Sequence, residues 1–255
     1  MHVFKESIHL DAVARDADLY ILLPKNHDDG DKSFPVVYMH DGQNLFSQYV
    51  EDSYASRTWQ IEHALSQPDM PEVIVVGISS PKSERRLDEY SPWVFEIDYP
   101  RGGAGEKYMR AIKETIKPMI DARFNTDASK DATALIGSSM GGIISLYGLL
   151  AHGDTFTRAA SLSGAFFTAP NAAEKWLKAV SFDHVKKLYM DTGEQENSKG
   201  SPEDYLTTNG HLAALISDYL DPFRFRYEVI KDGTHTEEDW ASRIGGVIRY
   251  LFSDK

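Results

Sequence analysis

One Gly-x-Ser-x-Gly pattern occurs in the chain, and Ser139 is at its centre. We expect an apolar strand before it, over residues 132–136, and a helix after it, over residues 141–150. A tight strand–turn–helix of this kind presents a nucleophilic serine in strained backbone angles and leaves no room for side chains at Gly137 and Gly141. The helix N-terminus would favour a developing negative charge. The pattern predicts acyl chemistry at Ser139, and a glycine-rich helix cap is the alternative.

A serine hydroxyl becomes a good nucleophile only when a base takes its proton. The chain has nine histidines, and an elbow of this type is followed in chain order by an acid and then by the histidine. Only His211 and His235 leave room for an acid before them. His211 lies in a segment with helical periodicity, whereas His235 follows an expected strand, residues 225–230, through a turn. We therefore predict His235 as the base and a surface or packing role for His211.

The acid should follow the strand predicted at residues 186–190. Three carboxylates lie there, at Asp191, Glu194 and Glu196. Asp191 is still nearly on the strand, whereas Glu196 is far enough out to reach an imidazole at the edge of the sheet. Spacing modestly favours Glu196 as the acid, and Asp191 remains the alternative.

The second half of an oxyanion hole usually comes from a loop after an earlier strand. Residues 40–44 (HDGQN) follow the apolar strand at residues 36–39 and fit that place. Gly42 would allow a close backbone approach, so that the amide of Gln43 pairs with the amide of Met140. The alternative is a polar turn in which the Asp41 carboxylate only accepts hydrogen bonds from its neighbours.

Short β-branched or aromatic runs alternate with longer segments of helical periodicity. Continuously apolar strands between helices are typical of a parallel sheet covered on both faces, with its sites at the carboxyl ends of the strands. The sequence predicts one α/β domain over residues 1–255, with a mostly parallel central sheet and helices on both faces. The expected strands are 3–10 and 17–23 (an antiparallel edge pair), 34–40, 73–78, 132–136, 158–163, 185–190 and 225–230, and the expected helices are 59–65, 106–124 (interrupted at Pro118), 141–150, 172–180, 205–219 and 237–252.

Composition argues against several classes of function. The chain has 27 Lys and Arg against 39 Asp and Glu, a net charge of −12 that would repel a nucleic acid. We interpret the densest basic stretch, residues 82–86, as a solvated loop. No apolar run approaches the ~18 residues of a membrane span. The N-terminus lacks the pattern of a signal peptide, so we expect a cytoplasmic protein.

We predict neither a metal nor a cofactor. The chain has no cysteine, which excludes disulfides and thiolate chemistry, and its histidines are not at ligand spacing. The glycines at residues 102–105 follow no strand and lack the Gly-Lys-Ser/Thr of a phosphate loop.

Residues 40–46 (HDGQNLF) resemble a loop of the esterase family that includes esterase D, enterochelin esterases, feruloyl esterases and the mycolyltransferases. The resemblance implies an α/β-hydrolase fold, Ser139 as nucleophile, His235 as base, and the amides of Gln43 and Met140 as oxyanion hole. It also implies Glu196 as the acid, three residues after the glycine that ends its strand, although some members use a dyad. Further matches run from about residue 16 to the C-terminus: Arg86 with residues 89–93 (EYSPW), Gly102 and Gly103 before Tyr108, residues 116–118 with Ile120 and Asp121, residues 137–142, residues 191–196, and His235 with Trp240.

The expected function is therefore serine carboxylesterase activity on a small-molecule ester, through an acyl-enzyme. An acyltransferase, a serine peptidase and a catalytically silent binding module of the same fold are the alternatives. Four loops (47–57, 81–105, 165–182 and 197–208) would frame the acyl and alcohol pockets, and no pattern of residues in them indicates a particular substrate. The sequence is also compatible with a homo-oligomer. The aromatic residues that could line an apolar pocket are Tyr49, Tyr54, Trp93, Phe95, Phe166 and Phe167.

Overall fold

An eight-stranded sheet forms the centre of the computed structural model, which describes residues 1–30, 32–82 and 84–253. Its strand order is β1-β2-β4-β3-β7-β8-β9-β10, with β5 and β6 paired separately as a hairpin. The first three strands in this order pair antiparallel, and all later neighbours pair parallel. The strands are β1 His2–Leu10, β2 Arg15–Leu23, β3 Val36–His40, β4 Ile74–Ile78, β5 Val94–Glu96, β6 Pro100–Gly102, β7 Thr133–Ser138, β8 Arg158–Leu162, β9 Lys187–Gln195 and β10 Phe225–Thr234.

Helices cover both faces of the sheet, as predicted. Side chains alternate between the two faces of a strand, and β3 divides accordingly. Val36 and Tyr38 belong to one hydrophobic cluster, with α3 to α7, whereas Val37 and Met39 belong to a second cluster, with α1 and α8. The helices are α1 Ile61–Leu65, α2 Arg85–Glu89, α3 Gly105–Ala111, α4 Lys117–Arg123, α5 Met140–Ala151, α6 Pro170–Leu177, α7 Pro202–Ser217 and α8 Glu237–Leu251.

The predicted interruption at Pro118 takes the form of a wider helical turn. A π-helical segment, Ile112–Ile116, lies between α3 and α4, and Pro118 follows in the first turn of α4. Pro118 has no N–H to donate, and the wider turn directly before it changes the hydrogen-bond pattern of this continuous helix at that point.

Two predictions near residues 82–105 need correction. The solvated loop predicted at residues 82–86 is wrong for Arg85 and Arg86, which form the start of α2. Arg86 keeps 22% of its side chain exposed, and its guanidinium donates to the largely buried carboxylate of Asp41 through two contacts of 2.7 Å. The expectation that the glycines at residues 102–105 follow no strand is also wrong, because β6 ends at Gly102 and pairs with β5. This hairpin was not expected, since its strands have only three residues each.

No helix among the described residues has the length and hydropathy needed to cross a lipid bilayer.

Candidate active site

Ser139 stands in the turn between β7 and α5. Its backbone angles, φ 57° and ψ −123°, lie in a region that residues other than glycine rarely adopt. Neighbouring strands hold this conformation: the Ser139 N–H donates to the Leu162 carbonyl at 2.9 Å, and the Ser139 carbonyl accepts from Ala165 at 3.1 Å. A Cβ added to Gly137 would lie 2.5 Å from the Gly141 carbonyl oxygen. The strained serine and the need for glycine at residue 137 agree with the predicted elbow.

The loop after β3 lies beside this turn because β3 and β7 are parallel neighbours. Gly42 is required there, since an added Cβ would overlap the backbone of Gly77. The Gln43 side chain fixes the loop through hydrogen bonds with Ser80, donating to its hydroxyl at 3.0 Å and accepting from its N–H at 3.1 Å. Gln43 lies in a 3-10 turn and Met140 begins α5. The first N–H groups of a helix have no partner inside it, so both backbone amides suit an oxyanion hole.

His40 precedes this loop, and it is fully buried against the elbow. Burial lowers the pKa of His40 to about 3, with a further contribution from the Arg86 charge and an opposing one from Asp41. Its Nδ1 lies 2.9 Å from the Tyr108 hydroxyl. His40 is therefore a neutral packing residue between β3 and β7, whose ring would contact a Cβ at Gly137.

His235 and Glu196 meet at the carboxyl ends of β9 and β10. The His235 Nδ1 lies 2.6 Å from Glu196 Oε2, and the two side chains are 8% and 0% exposed. The Glu196 Oε1 accepts from the Gly193 N–H at 2.8 Å. Burial acts to raise the pKa of Glu196, but the hydrogen bonds from His235, Ser163 and Gly193 hold it below its usual value. An ionised Glu196 fixes a proton on Nδ1, which leaves Nε2 free to exchange one with a nucleophile.

Asp191, the other candidate acid, is paired with an arginine among the described residues. Arg243 donates to it at 2.7 Å through Nε and at 3.2 Å through Nη2, and the Ser163 N–H donates at 2.9 Å. Burial raises the pKa of Asp191, against the lowering effect of Arg243. The structure thus brings Glu196, and not Asp191, to His235. His211 is exposed on α7 with its Nε2 3.2 Å from Glu174.

Ser163 connects the two carboxylates and was not identified from the sequence. Its hydroxyl accepts from Trp240 Nε1 at 3.0 Å and from Arg243 Nη2 at 3.3 Å, and it donates to Glu196. One donor and two acceptor positions are all that a hydroxyl offers, so the group is fully used. Ser163 directly follows β8, the strand between β7 and β9. The rule that sites lie at the carboxyl ends of strands would have found it if applied to β8.

Two cavities open on either side of Ser139. The larger, about 320 Å³, is mainly apolar and also contains Arg86, Lys199 and Tyr205. The smaller, about 230 Å³, is lined by polar groups and by His235. Apolar residues of the larger cavity are Leu87, Phe95, Ile97, Met140, Ala165 and Phe167.

Of the six aromatic residues proposed for an apolar pocket, only two line the larger cavity. Phe95 and Phe167 do so, and Tyr54 lines the smaller cavity. The other three pack elsewhere: Tyr49 against Tyr20, Trp93 against Tyr147 and Trp176, and Phe166 in the core. In the part of the chain that the structure describes, no group of three or more His, Cys, Asp or Glu could hold a metal ion.

Comparisons with known proteins agree with this architecture. A family model described as "Putative esterase" matches residues 11–250. "Uncharacterized protein YbbA" of Bacillus subtilis (strain 168) is 30% identical over 180 residues, which are 69% of this chain and 67% of that protein. An IroE-like serine hydrolase from Shewanella oneidensis has a similar fold, with a TM-score of 0.76, 21% identity, and coverage of 98% of this chain and 80% of that one. The enterobactin esterase FES from Shigella flexneri superposes with a TM-score of 0.77 at 16% identity, covering 99% of this chain and 59% of that one.

Proposed function

Because the chain belongs to this esterase family, we propose that it cleaves small-molecule esters through an acyl-enzyme on Ser139. His235 is the base and Glu196 the acid of the triad. The observation that carries this proposal is the buried 2.6 Å contact between His235 and Glu196 at the edge of a cavity that contains Ser139.

The proposed steps use the groups that surround Ser139. His235 takes the hydroxyl proton, and the Ser139 oxygen attacks the ester carbonyl. The amides of Gln43 and Met140 donate to the oxyanion. His235 then gives its proton to the leaving alkoxide and activates the water that releases the acid. Glu196 keeps the imidazole oriented and stabilises its charged form throughout.

The two cavities suggest which side of the ester each holds. His235 must reach the leaving alkoxide, and it lines only the smaller of the two cavities described here. The alcohol therefore occupies the smaller, polar cavity, and the acyl group the larger cavity with Phe95 and Phe167. The larger cavity, about 320 Å³, has room for an acyl group longer than acetyl.

The test is hydrolysis of p-nitrophenyl esters of increasing acyl length by the wild type and by Ser139→Ala. We expect Ser139→Ala to lower kcat by roughly 10⁴ or more, the scale of triad losses in serine hydrolases. Ser145→Ala is the matched control, because this buried serine of α5 donates only to the Gly141 carbonyl, at 2.8 Å. Most activity remaining in Ser139→Ala would refute the nucleophile. If no ester is hydrolysed and fluorophosphonate does not label Ser139, a binding module without catalytic activity would be favoured instead.

A further inference from the structure

Tyr205 is a buried phenol beside the nucleophile that the triad does not use. It lies on α7, is 1% exposed, and lines the larger cavity together with Ser139. Its ring centroid is 5.2 Å from that of His235 and 4.8 Å from that of Phe167. These contacts account for an aromatic ring at this position, but a phenylalanine would make them equally well.

The hydroxyl group of Tyr205 has polar partners at the reaction centre. It lies within hydrogen-bonding reach of the hydroxyls of Ser198 and Ser139, which line the same cavity. Burial raises the pKa of Tyr205 to about 12, and these contacts act in the opposite direction. The phenol is therefore protonated at every pH at which an esterase is normally assayed. It acts as a hydrogen-bond donor and does not compete with His235 as a base.

We propose that Tyr205 is a further catalytic residue, whose hydroxyl donates a hydrogen bond to the Ser139 oxygen whenever that oxygen carries negative charge. This inference rests on the proposed function. Charge develops on the oxygen when His235 withdraws its proton during acylation, and again when the oxygen leaves the acyl carbon during deacylation. Tyr205 keeps its own proton in both steps. In acylation the Ser139 proton passes through His235 to the leaving alkoxide, and in deacylation a water proton passes through His235 back to Ser139. The oxyanion of the carbonyl is bound separately, by the amides of Gln43 and Met140.

The experiment compares Tyr205→Phe with the wild type on p-nitrophenyl acetate. This variant keeps the ring and removes only the hydroxyl. We expect kcat to fall about 10- to 100-fold, the effect of one hydrogen bond to a charged atom in a transition state, while KM changes less than threefold. Acylation and deacylation, separated by burst kinetics, should both slow. The rate of fluorophosphonate labelling at Ser139 should fall by a similar factor.

Tyr147→Phe is the matched control. Tyr147 is a partly buried phenol on α5, the helix that follows Ser139, and its hydroxyl donates to Glu106 at 2.8 Å. It should retain kcat within about twofold.

Two outcomes would overturn the inference: an unchanged kcat in Tyr205→Phe, or a loss that comes with a displaced acid limb of the pH profile, because the residue would then act through His235. A wild type that hydrolyses no ester would instead defeat the proposed function itself.

Discussion

Asp191 and Glu196 lie five residues apart, and both are almost wholly buried. Both also contact Ser163, Asp191 through the Ser163 N–H and Glu196 through the Ser163 hydroxyl. Their partners differ: Asp191 is held by Arg243, and Glu196 by His235. An arginine stays charged at every accessible pH, so Arg243 in the pair with Asp191 does not take up or release a proton during a reaction. A histidine can take up a proton and release it during a reaction, so the pair of Glu196 and His235 accommodates a change of charge.

The position of each carboxylate along the chain produces this difference. Asp191 is inside the hydrogen-bond ladder of β9, where it pairs in register with Leu162 of β8 and Glu228 of β10. Glu196 lies one residue beyond the end of β9, level with the loop that follows β10. A carboxylate within a strand meets the helix that covers the sheet, here α8 with Arg243. One beyond the strand reaches the loops at the edge of the sheet, where the proposed chemistry takes place.

Among the variants that separate the two carboxylates, Glu196→Gln should lose the most activity. A neutral amide cannot stabilise a protonated His235 and permits the wrong tautomer, so kcat should fall by about 10³- to 10⁴-fold. Steady-state hydrolysis of p-nitrophenyl acetate measures this. Asp191→Asn, with the same change five residues earlier, should lose far less activity, and the reverse order would assign the acid to Asp191.

Asp191→Asn should act on stability instead. Removing the carboxylate leaves the Arg243 charge buried without its partner, which costs about 3–5 kcal/mol of unfolding free energy in comparable pairs. Urea denaturation followed by fluorescence gives the value. A double variant, Asp191→Asn with Arg243→Met, should recover much of the lost unfolding free energy, because no charge is then buried without a partner. Full stability in the single variant would contradict a structural role for the pair.

Ser163→Ala tests the group that the two carboxylates share. Its loss removes a donor to Glu196 and an acceptor for Trp240 and Arg243, so we expect a moderate effect on both properties. Activity should fall about tenfold, and the unfolding free energy should fall by about 1–3 kcal/mol. If only the activity or only the unfolding free energy changes, Ser163 does not connect the Glu196–His235 pair with the Asp191–Arg243 pair.

The smallest effect is a pH dependence of stability. Because the pKa of folded Glu196 is held below its usual value, its carboxylate stabilises the fold above the unfolded pKa, near 4.3. This contribution is lost as the pH falls through the folded pKa. The difference in melting temperature between the wild type and Glu196→Gln should therefore narrow from pH 7 to pH 3.5. A difference that stays constant would show that Glu196 is not stabilised as an ion.

Much of the fold could be predicted because it depends on local patterns. The apolar strands and the periodic helices appear in the order expected, and the edge pair β1–β2 is antiparallel as predicted. The end of β9 was missed, since Asp191, Thr192 and Gly193 look like a turn although all three are buried strand residues. Tertiary pairing with Arg243 makes burial of Asp191 tolerable, and no local pattern reveals that partner.

The site could be predicted where a motif marks it and not where distant residues converge. Ser139 and His235 could be singled out because a glycine pattern and a strand end mark them. Spacing favoured Glu196 over Asp191 only modestly, and the family resemblance strengthened that preference. Arg86 was misinterpreted because its partner, Asp41, is 45 residues away. Tyr205 lies on a helix far along the chain from Ser139, and only the fold brings the two together.

The central claim is that Ser139 carries the acyl group, and trapping that group tests it most directly. The wild type is mixed with a p-nitrophenyl ester, quenched with acid during turnover and digested, and the peptides are fragmented in a mass spectrometer. The account predicts one added acyl mass on Ser139, absent from Ser139→Ala and accumulating in proportion to the burst of p-nitrophenol. Turnover with no acyl mass on Ser139, or with the mass on another residue, would contradict it.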